Sequence, residues 1–222
     1  MPVVRLVAAL VAVVTVAGPL PGRETGSVRG RVSFADPPAA ADRRPSVGDL
    51  GSGPREPVDR RRCVLYLESA PRQAFDELRI GRVRMDQRGE QFVPRVLAIT
   101  VGTTVDFPNS DTKFHNVFSF SRAMSFDLGR YPPAKSGGVR FGKPGIVQVF
   151  CDIHSHMRGY ILVFSHPFFA MTDDDGRYTI GGIPPGTYML MVWSELGHSE
   201  PRRIQVTDGG VTEASFQIGR QP

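Results

Sequence analysis

The chain has 222 residues, a hydrophobic fraction of 41% and one tryptophan, which suit one medium domain or a domain with a small module. Its 24 glycines and 19 prolines, set among short Val- and Phe-rich runs, predict many turns between strands and therefore an all-β fold. The net charge of +5 is compatible with an anionic partner. However, the arginines between Arg43 and Arg62 are interspersed with Asp and Glu and have no aromatic residues among them, which argues against nucleic-acid binding.

The N-terminus has the form of a secretory signal peptide over residues 1–22. A positive charge at Arg5 precedes an apolar run from Leu6 to Ala17, and Gly18-Pro19 breaks that run. The run is too short for a comfortable membrane span. We therefore expect a periplasmic or otherwise extracytoplasmic protein, associated with a membrane only if the segment stays uncleaved.

The first predicted domain covers residues 27–165. It opens with the alternating strand Ser27–Phe34 and continues through a long polar loop, expected to be mobile, at residues 35–61. The strand Cys63–Glu68 follows, with Cys63 on the same face as the leucines at positions 65 and 67 and expected to be buried. Further strands are predicted as far as residue 164, whereas residues 125–138 are predicted to form a loop.

Residues 166–219 are predicted to form a second, five-stranded β module. The run Asp173-Asp174-Asp175-Gly176 lacks the spacing and the terminal Glu of a calcium loop, so it is interpreted as a hairpin turn. A module of this size is small for independent stability. We therefore expect it to pack on the first domain.

The segment with the clearest chemistry is the short loop between two apolar strands at residues 151–157, which reads CDIHSHM. Its C-x2-H-x2-M spacing allows a thiolate, an imidazole and a thioether to point at one centre. A second imidazole has to come from elsewhere, and His115 stands at the start of a predicted strand. Two histidines and a cysteine with a weak axial methionine are the donor set of blue-copper sites.

The sequence around these residues resembles the cupredoxins. The runs Val101–Asp111, His115-Asn116-Val117 and Phe126–Gly129 look like plastocyanin-like proteins of bacteria, and the three-residue step from His154 to Met157 is similar to amicyanin. The resemblance implies a Greek-key β-sandwich that binds one copper ion. By the same resemblance, the ligands are His115, Cys151, His154 and the axial Met157, and Asn116 ties the two ligand loops together by hydrogen bonds.

The second module resembles the carboxypeptidase regulatory-like, or transthyretin-like, β-sandwich. The runs that carry this likeness are Asp173–Tyr178 and Gly182–Tyr188. The combination of the two modules resembles methylamine utilisation proteins. That resemblance implies a redox protein as partner, and it does not establish methylamine as a substrate.

Some assignments stay open at this point. His156 departs from the amicyanin pattern and is an alternative axial ligand to Met157. His166 and His198 are expected to be surface or capping residues rather than ligands. Two cysteines in an exported protein form a disulfide by default, but the residues around Cys151 favour a metal-bound thiolate.

The favoured function is electron transfer by an exported type 1-like copper protein, with the edge of His154 in an apolar patch where a partner docks. A copper-binding or delivery protein without redox cycling is the first alternative, and a metal-free β-sandwich interaction module is the second. Five histidines are too few for the trinuclear cluster of a multicopper oxidase. They also leave few imidazoles for the second copper site of a nitrite reductase. We therefore expect no enzyme activity and no small-molecule substrate.

Overall fold

The structure, a computed structural model, describes residues 24–35, 61–71, 78, 80–197 and 199–219. The predicted signal peptide, most of the predicted loop at 35–61 and His198 lie outside these residues. Every regular element of the described chain is a β-strand, which confirms the all-β prediction. Within these same residues, no helix has the length and apolarity that crossing a membrane requires.

The strands of the first half of the chain are β1 (Gly26–Phe34), β2 (Cys63–Leu67), β3 (Arg82–Arg84), β4 (Asp86–Gln87), β5 (Phe92–Val93), β6 (Val96–Thr100), β7 (Thr104–Pro108), β8 (His115–Ser121) and β9 (Met124–Tyr131). Those of the second half are β10 (Ser136–Arg140), β11 (Gly145–Phe150), β12 (Arg158–Phe164), β13 (Phe169–Met171), β14 (Arg177–Ile183), β15 (Gly186–Ser194), β16 (Arg202–Val206), β17 (Val211–Glu213) and β18 (Phe216–Ile218). They form two β-sandwiches. The terminal sandwich contains β1, β2 and β13 to β18, and the central sandwich contains β3 to β12.

The terminal sandwich consists of two sheets around one apolar core. One sheet has the order β14-β1-β17, with β18 also parallel to β1, and the other has the order β13-β2-β15-β16. Gly30 lies in β1 where that strand passes close to its neighbour. A Cβ atom there would lie 1.8 Å from the carbonyl oxygen of Ala214, so only glycine fits.

The pairing of β1 and β2 corrects the predicted domain boundary. The sequence predicts both strands as part of the domain at residues 27–165, yet β1 pairs with β14, β17 and β18, and β2 pairs with β13 and β15. The physical reason is that Val28 on β1 and the fully buried Cys63 and Leu65 on β2 contribute to the core of the terminal sandwich. Both ends of the described chain therefore build this sandwich, rather than residues 166–219 alone.

The central sandwich carries the predicted ligand loop. Its larger sheet has the order β6-β12-β11-β8-β9, and the sheet β10-β7-β3 lies opposite. The loop predicted at residues 125–138 is wrong, because β9 and β10 occupy most of it. Alternate side chains of β9, those of Met124, Phe126 and Leu128, pack against the core, which is the pattern of a half-buried strand.

The two sandwiches are packed together, as expected for the small module. Val64 of β2 shares an apolar cluster with Tyr160 and Leu162 of β12. At the edge of this cluster, the guanidinium of Arg95 donates two hydrogen bonds, of 2.7 and 2.6 Å, to the carboxylate of Glu195. Both side chains of this ion pair are largely buried, so the pair requires both sandwiches to be in place.

His166 lies at the junction of the two sandwiches. It lies outside the predicted ligand loop, and it is buried rather than at the surface. Its Nε2 is 3.0 Å from the carbonyl oxygen of Leu67, and its Nδ1 is 3.2 Å from the backbone nitrogen of Phe168. Nδ1 accepts from that N–H only in the neutral ring, with Nε2–H as the donor to Leu67. Burial lowers the pKa of His166, and the hydrogen bond to Leu67 offsets this only in part.

The buried, neutral state of His166 predicts a pH-dependent stability. In the unfolded chain its pKa returns to about 6.5, so the unfolded state binds more protons than the folded state below that pH. The contribution of His166 is therefore fully present above about pH 6.5 and is lost as the pH falls from there towards the lower folded pKa. Urea unfolding at a series of pH values should show this slope, and His166→Gln should reduce it. An unchanged slope in the variant would contradict the assignment.

Candidate metal centre

Three donor side chains meet at one end of the larger sheet of the central sandwich. His115 is the first residue of β8, Cys151 directly follows β11, and His154 lies in the turn before β12. β11 runs antiparallel to both β8 and β12, and its last residue, Phe150, pairs with Arg158 at the start of β12 and with Phe118 in β8. Cys151, the next residue, accordingly lies towards the start of β8, where its Sγ accepts the N–H of Asn116. The sheet therefore brings together a thiol and an imidazole that are 36 residues apart in sequence.

The donor atoms form a small triangle. Cys151 Sγ is 3.8 Å from Nδ1 of His115 and 3.8 Å from Nδ1 of His154, and the two Nδ1 atoms are 3.1 Å apart. A circle through three points at these separations has a radius of about 2.1 Å, close to metal–nitrogen and metal–sulfur bond lengths in zinc sites. His115, Cys151 and His154 thus form a group that could hold a metal ion.

The thiol of Cys151 is free for such a role. Cys151 forms no disulfide with Cys63, which lies in the core of the other sandwich. Burial raises the pKa of the Cys151 thiol. Hydrogen bonds from His115 and from the backbone amides of Asn116, His154 and Ile153 outweigh that effect, so its pKa lies below the ordinary value. The site therefore favours the thiolate, which is the form that binds metals.

The outer nitrogen of His115 faces a carboxylate that the sequence analysis does not single out. Nε2 of His115 lies 2.8 Å from Oδ2 of Asp111, and the imidazole is completely buried. A carboxylate at this distance accepts a hydrogen bond from Nε2–H and fixes the direction of the ring. When the proton between Nδ1 and Cys151 is lost, the lone pair of Nδ1 points at the donor triangle. The only sequence signal for this role is an acidic residue four positions before a candidate ligand.

Asp111 also holds a neighbouring turn. Its two carboxylate oxygens accept hydrogen bonds from the backbone nitrogens of Gly89 and Glu90, at 2.6 and 2.8 Å. Burial raises the pKa of Asp111, but the bonds from Glu90, His115 and Gly89 outweigh it and the net pKa is lowered. The carboxylate therefore stays ionised while it supports both the imidazole and the turn.

Charged side chains stand beside the outer edge of His154, where the sequence analysis expects an apolar patch. Nε2 of His154 is 3.9 Å from Oε1 of Glu90, and Nε2 of His156 is 3.4 Å from Oε2 of the same residue. Lys113 forms an ion pair with Oε1 of Glu90. The His154 side chain is 15% exposed, so the edge is largely covered although Ile153 and Phe114 are exposed nearby in sequence.

The remaining predicted site residues occupy different positions around the triangle. Met157 is buried in the same apolar cluster as Cys151, and its N–H donates to the carbonyl of His154. His156 is one-third exposed and outside the three-residue group. The backbone N–H of Asn116 donates to Cys151 Sγ at 3.5 Å, whereas Oδ1 of its side chain has no hydrogen-bond partner within the described part of the chain. The backbone of Asn116 therefore links the two ligand segments.

Comparisons with known proteins identify structural neighbours of part of the chain. No protein-family model and no curated protein matches it. A copper-containing nitrite reductase from Thermus scotoductus SA-01 is 30% identical over 37% of this chain and 22% of the reductase, with a TM-score of 0.36. The chain thus spans about a fifth of that enzyme's length.

Two smaller proteins are matched over almost their whole length. A purple cupredoxin from Nitrosopumilus maritimus is 21% identical over 38% of this chain and 99% of its own, with a TM-score of 0.34. A reduced amicyanin variant is 21% identical over 45% of this chain and 98% of its own, with a TM-score of 0.36. Likenesses at these scores do not assign a function. The functional proposal is therefore based on the geometry of the site.

The contact between Asp111 and His115 predicts a loss of metal affinity in Asp111→Asn. The amide is neutral and a weaker acceptor, so the imidazole loses its orienting charge, and carboxylates in this position contribute about 10–100-fold to affinity. Competition for Co(II) against a coloured chelator should show a loss of that order. Glu213→Gln, which alters an exposed carboxylate in the terminal sandwich, should bind Co(II) like the unmodified protein. Equal affinities for the two variants would show that Asp111 does not support the ligand.

Proposed function

We propose that this chain is an exported type 1-like copper protein that binds one copper ion and carries single electrons between partner proteins. The supporting observation is the donor triangle, in which a thiol and two imidazole nitrogens surround one centre. Hydrogen bonds to Cys151 Sγ lower the pKa of this thiol. When bound, copper supplies reversible one-electron exchange between Cu(II) and Cu(I). Cysteine sulfur is a soft donor that suits Cu(I), and imidazole suits both oxidation states.

The surrounding protein holds the donors in place. The buried ring of His115 is fixed by Asp111, the N–H of Asn116 points at Cys151 Sγ, and the N–H of Met157 closes the turn at the His154 carbonyl. Donors that are positioned by packed strands and hydrogen bonds move little when the charge at their centre changes. A rigid site of this kind exchanges electrons more readily than a site that must rearrange at each step.

Met157 is the proposed axial ligand. Its side chain is 1% exposed and belongs to the apolar cluster that contains Cys151. The competing His156 directs Nε2 towards Glu90, at 3.4 Å. A long axial thioether on a His2Cys site tunes the reduction potential without supplying much binding energy.

The proposed role needs a redox protein as partner and no small-molecule substrate. We propose no enzyme activity, because the described residues provide one group of metal donors of this kind and the chain has five histidines in total. A copper-delivery protein would use the same donors. It would differ by rapid transfer of Cu(I) to a chelator, whereas an electron carrier retains the ion through repeated oxidation and reduction.

Cys151→Ser tests the proposal most simply. The Cu(II)-loaded protein should show an intense visible thiolate-to-copper absorption, and the variant should lose it because a serine oxygen does not supply that transition. Circular dichroism should show that the fold is kept. Cys63→Ala is the matched control, since Cys63 is a buried thiol of the other sandwich and its loss should leave the band unchanged. A band that survives in Cys151→Ser would contradict thiolate ligation.

The axial assignment predicts a contrast between two variants. Met157→Leu should shift the absorption spectrum or raise the reduction potential while copper stays bound, because a weak sulfur donor is removed. His156→Ala should leave the ligand-field spectrum nearly unchanged. Optical and electron paramagnetic resonance spectra of both proteins provide the measurement. The reverse result, with His156→Ala altering the spectrum and Met157→Leu leaving it alone, would assign the axial position to His156.

A further inference from the structure

We propose that Glu90 is a positioning residue of the copper site, and that the balance between its negative charge and the positive charge of Lys113 sets the preference for Cu(II) over Cu(I). This inference rests on the proposed function. Glu90 lies beside the second proposed imidazole ligand, His154, as Asp111 lies beside the first, His115. The inference also assigns a role to a turn that no sequence motif marks.

The backbone around Glu90 is held in an unusual conformation. Glu90 has a φ of 54°, in the left-handed region that non-glycine residues rarely adopt, and it follows Gly89 with a φ of 61°. Reciprocal backbone hydrogen bonds between Arg88 and Gln91 close the turn. The carboxylate of Asp111 accepts the N–H groups of both Gly89 and Glu90. Asp111, which also contacts His115, thereby fixes the direction in which the Glu90 side chain leaves the turn.

That direction places a nearly buried carboxylate between the ligand loop and Lys113. Glu90 is 8% exposed, and its two oxygens face Nε2 of His154 and Nε2 of His156 at 3.9 and 3.4 Å. Lys113 forms the ion pair on the solvent side, with a side chain that is 54% exposed. The carboxylate is therefore shielded from water, whereas the cation that neutralises it is partly screened by solvent.

A shielded negative charge near the outer nitrogen of a ligand has a definite effect. His154 faces the donor triangle through Nδ1, so Nε2 is the nitrogen that carries the proton in a metal-bound ring. The Glu90 carboxylate, 3.9 Å from this nitrogen, attracts the N–H group electrostatically and makes the imidazole more electron-rich. This effect stabilises the more highly charged Cu(II) form. Lys113 opposes it by neutralising part of the charge on Glu90.

The test uses two neutralising variants with opposite expected effects. Glu90→Gln keeps the shape of the side chain and removes the negative charge, so the reduction potential should rise. A tenfold weaker preference for Cu(II) corresponds to about 59 mV for one electron, and about tenfold is the lower end expected for outer-shell partners. Lys113→Gln should lower the potential, by less, because this lysine is half exposed.

Two further measurements separate positioning from a general loss of structure. In the redox-inert Zn(II)-loaded protein, nitrogen-15 NMR should detect the Nε2–H of His154, and Glu90→Gln should speed its exchange with solvent. If Glu90→Gln folds poorly, Glu90→Gly is the substitute variant. Glycine adopts the positive φ of this position without strain, and the loss of the carboxylate should again raise the reduction potential. Glu213→Gln, in an exposed ion pair of the terminal sandwich, should change neither reading.

The possible results separate this inference from the proposed function. Opposite shifts for Glu90→Gln and Lys113→Gln support it, since unfolding or loosening of the site would not change sign with charge. Potential shifts of the same sign in both variants, or no shift in either, would overturn this inference without contradicting the proposed copper site. An unmodified protein without a copper–thiolate band would overturn the proposed function, and this inference with it.

Discussion

The proposed chemistry depends on the antiparallel pairing of β11 with β8 and β12. This pairing puts Cys151 next to the start of β12 and beside Asn116 of β8, so that Cys151, His115 and the turn that carries His154 share one end of the sheet. A buried thiol beside two imidazoles is costly unless the polar atoms have partners. The backbone N–H of Asn116 and the carboxylate of Asp111 supply two of them. The fold therefore stabilises a cluster of donors that an isolated loop could not maintain.

Asp111 connects the candidate ligands to a part of the chain that is distant in sequence. It accepts hydrogen bonds from His115 and from the turn at Gly89 and Glu90, and Glu90 in turn faces His154 and His156. Both imidazoles thus have a carboxylate on the side away from the donor triangle, although the contact with His154 is longer. The arrangement places negative charge where a positively charged metal centre gains most from it.

The local pattern indicates candidate donors in one short loop but does not predict what surrounds them. The C-x2-H-x2-M spacing points to residues 151–157 because the candidate donors lie close together in sequence, and the structure brings Cys151 and His154 together with His115. Asp111 and Glu90 could not be assigned in the same way, since their roles arise from contacts between separate turns and a single acidic residue has no distinctive pattern. The alternation of Met124, Phe126 and Leu128 did contain a strand signal, which nearby glycines and prolines obscured. Strand pairing was the least predictable feature: β1 and β2 precede the central sandwich in sequence, and only their contacts show that they complete the terminal one.

The most direct measurement of the central claim is X-ray absorption at the copper edge, on protein loaded with one equivalent of copper. We expect one short copper–sulfur distance together with scattering from two imidazoles, in both oxidation states and with little change between them. A first shell of nitrogen and oxygen alone would contradict it, because the thiolate of Cys151 would then not be a ligand.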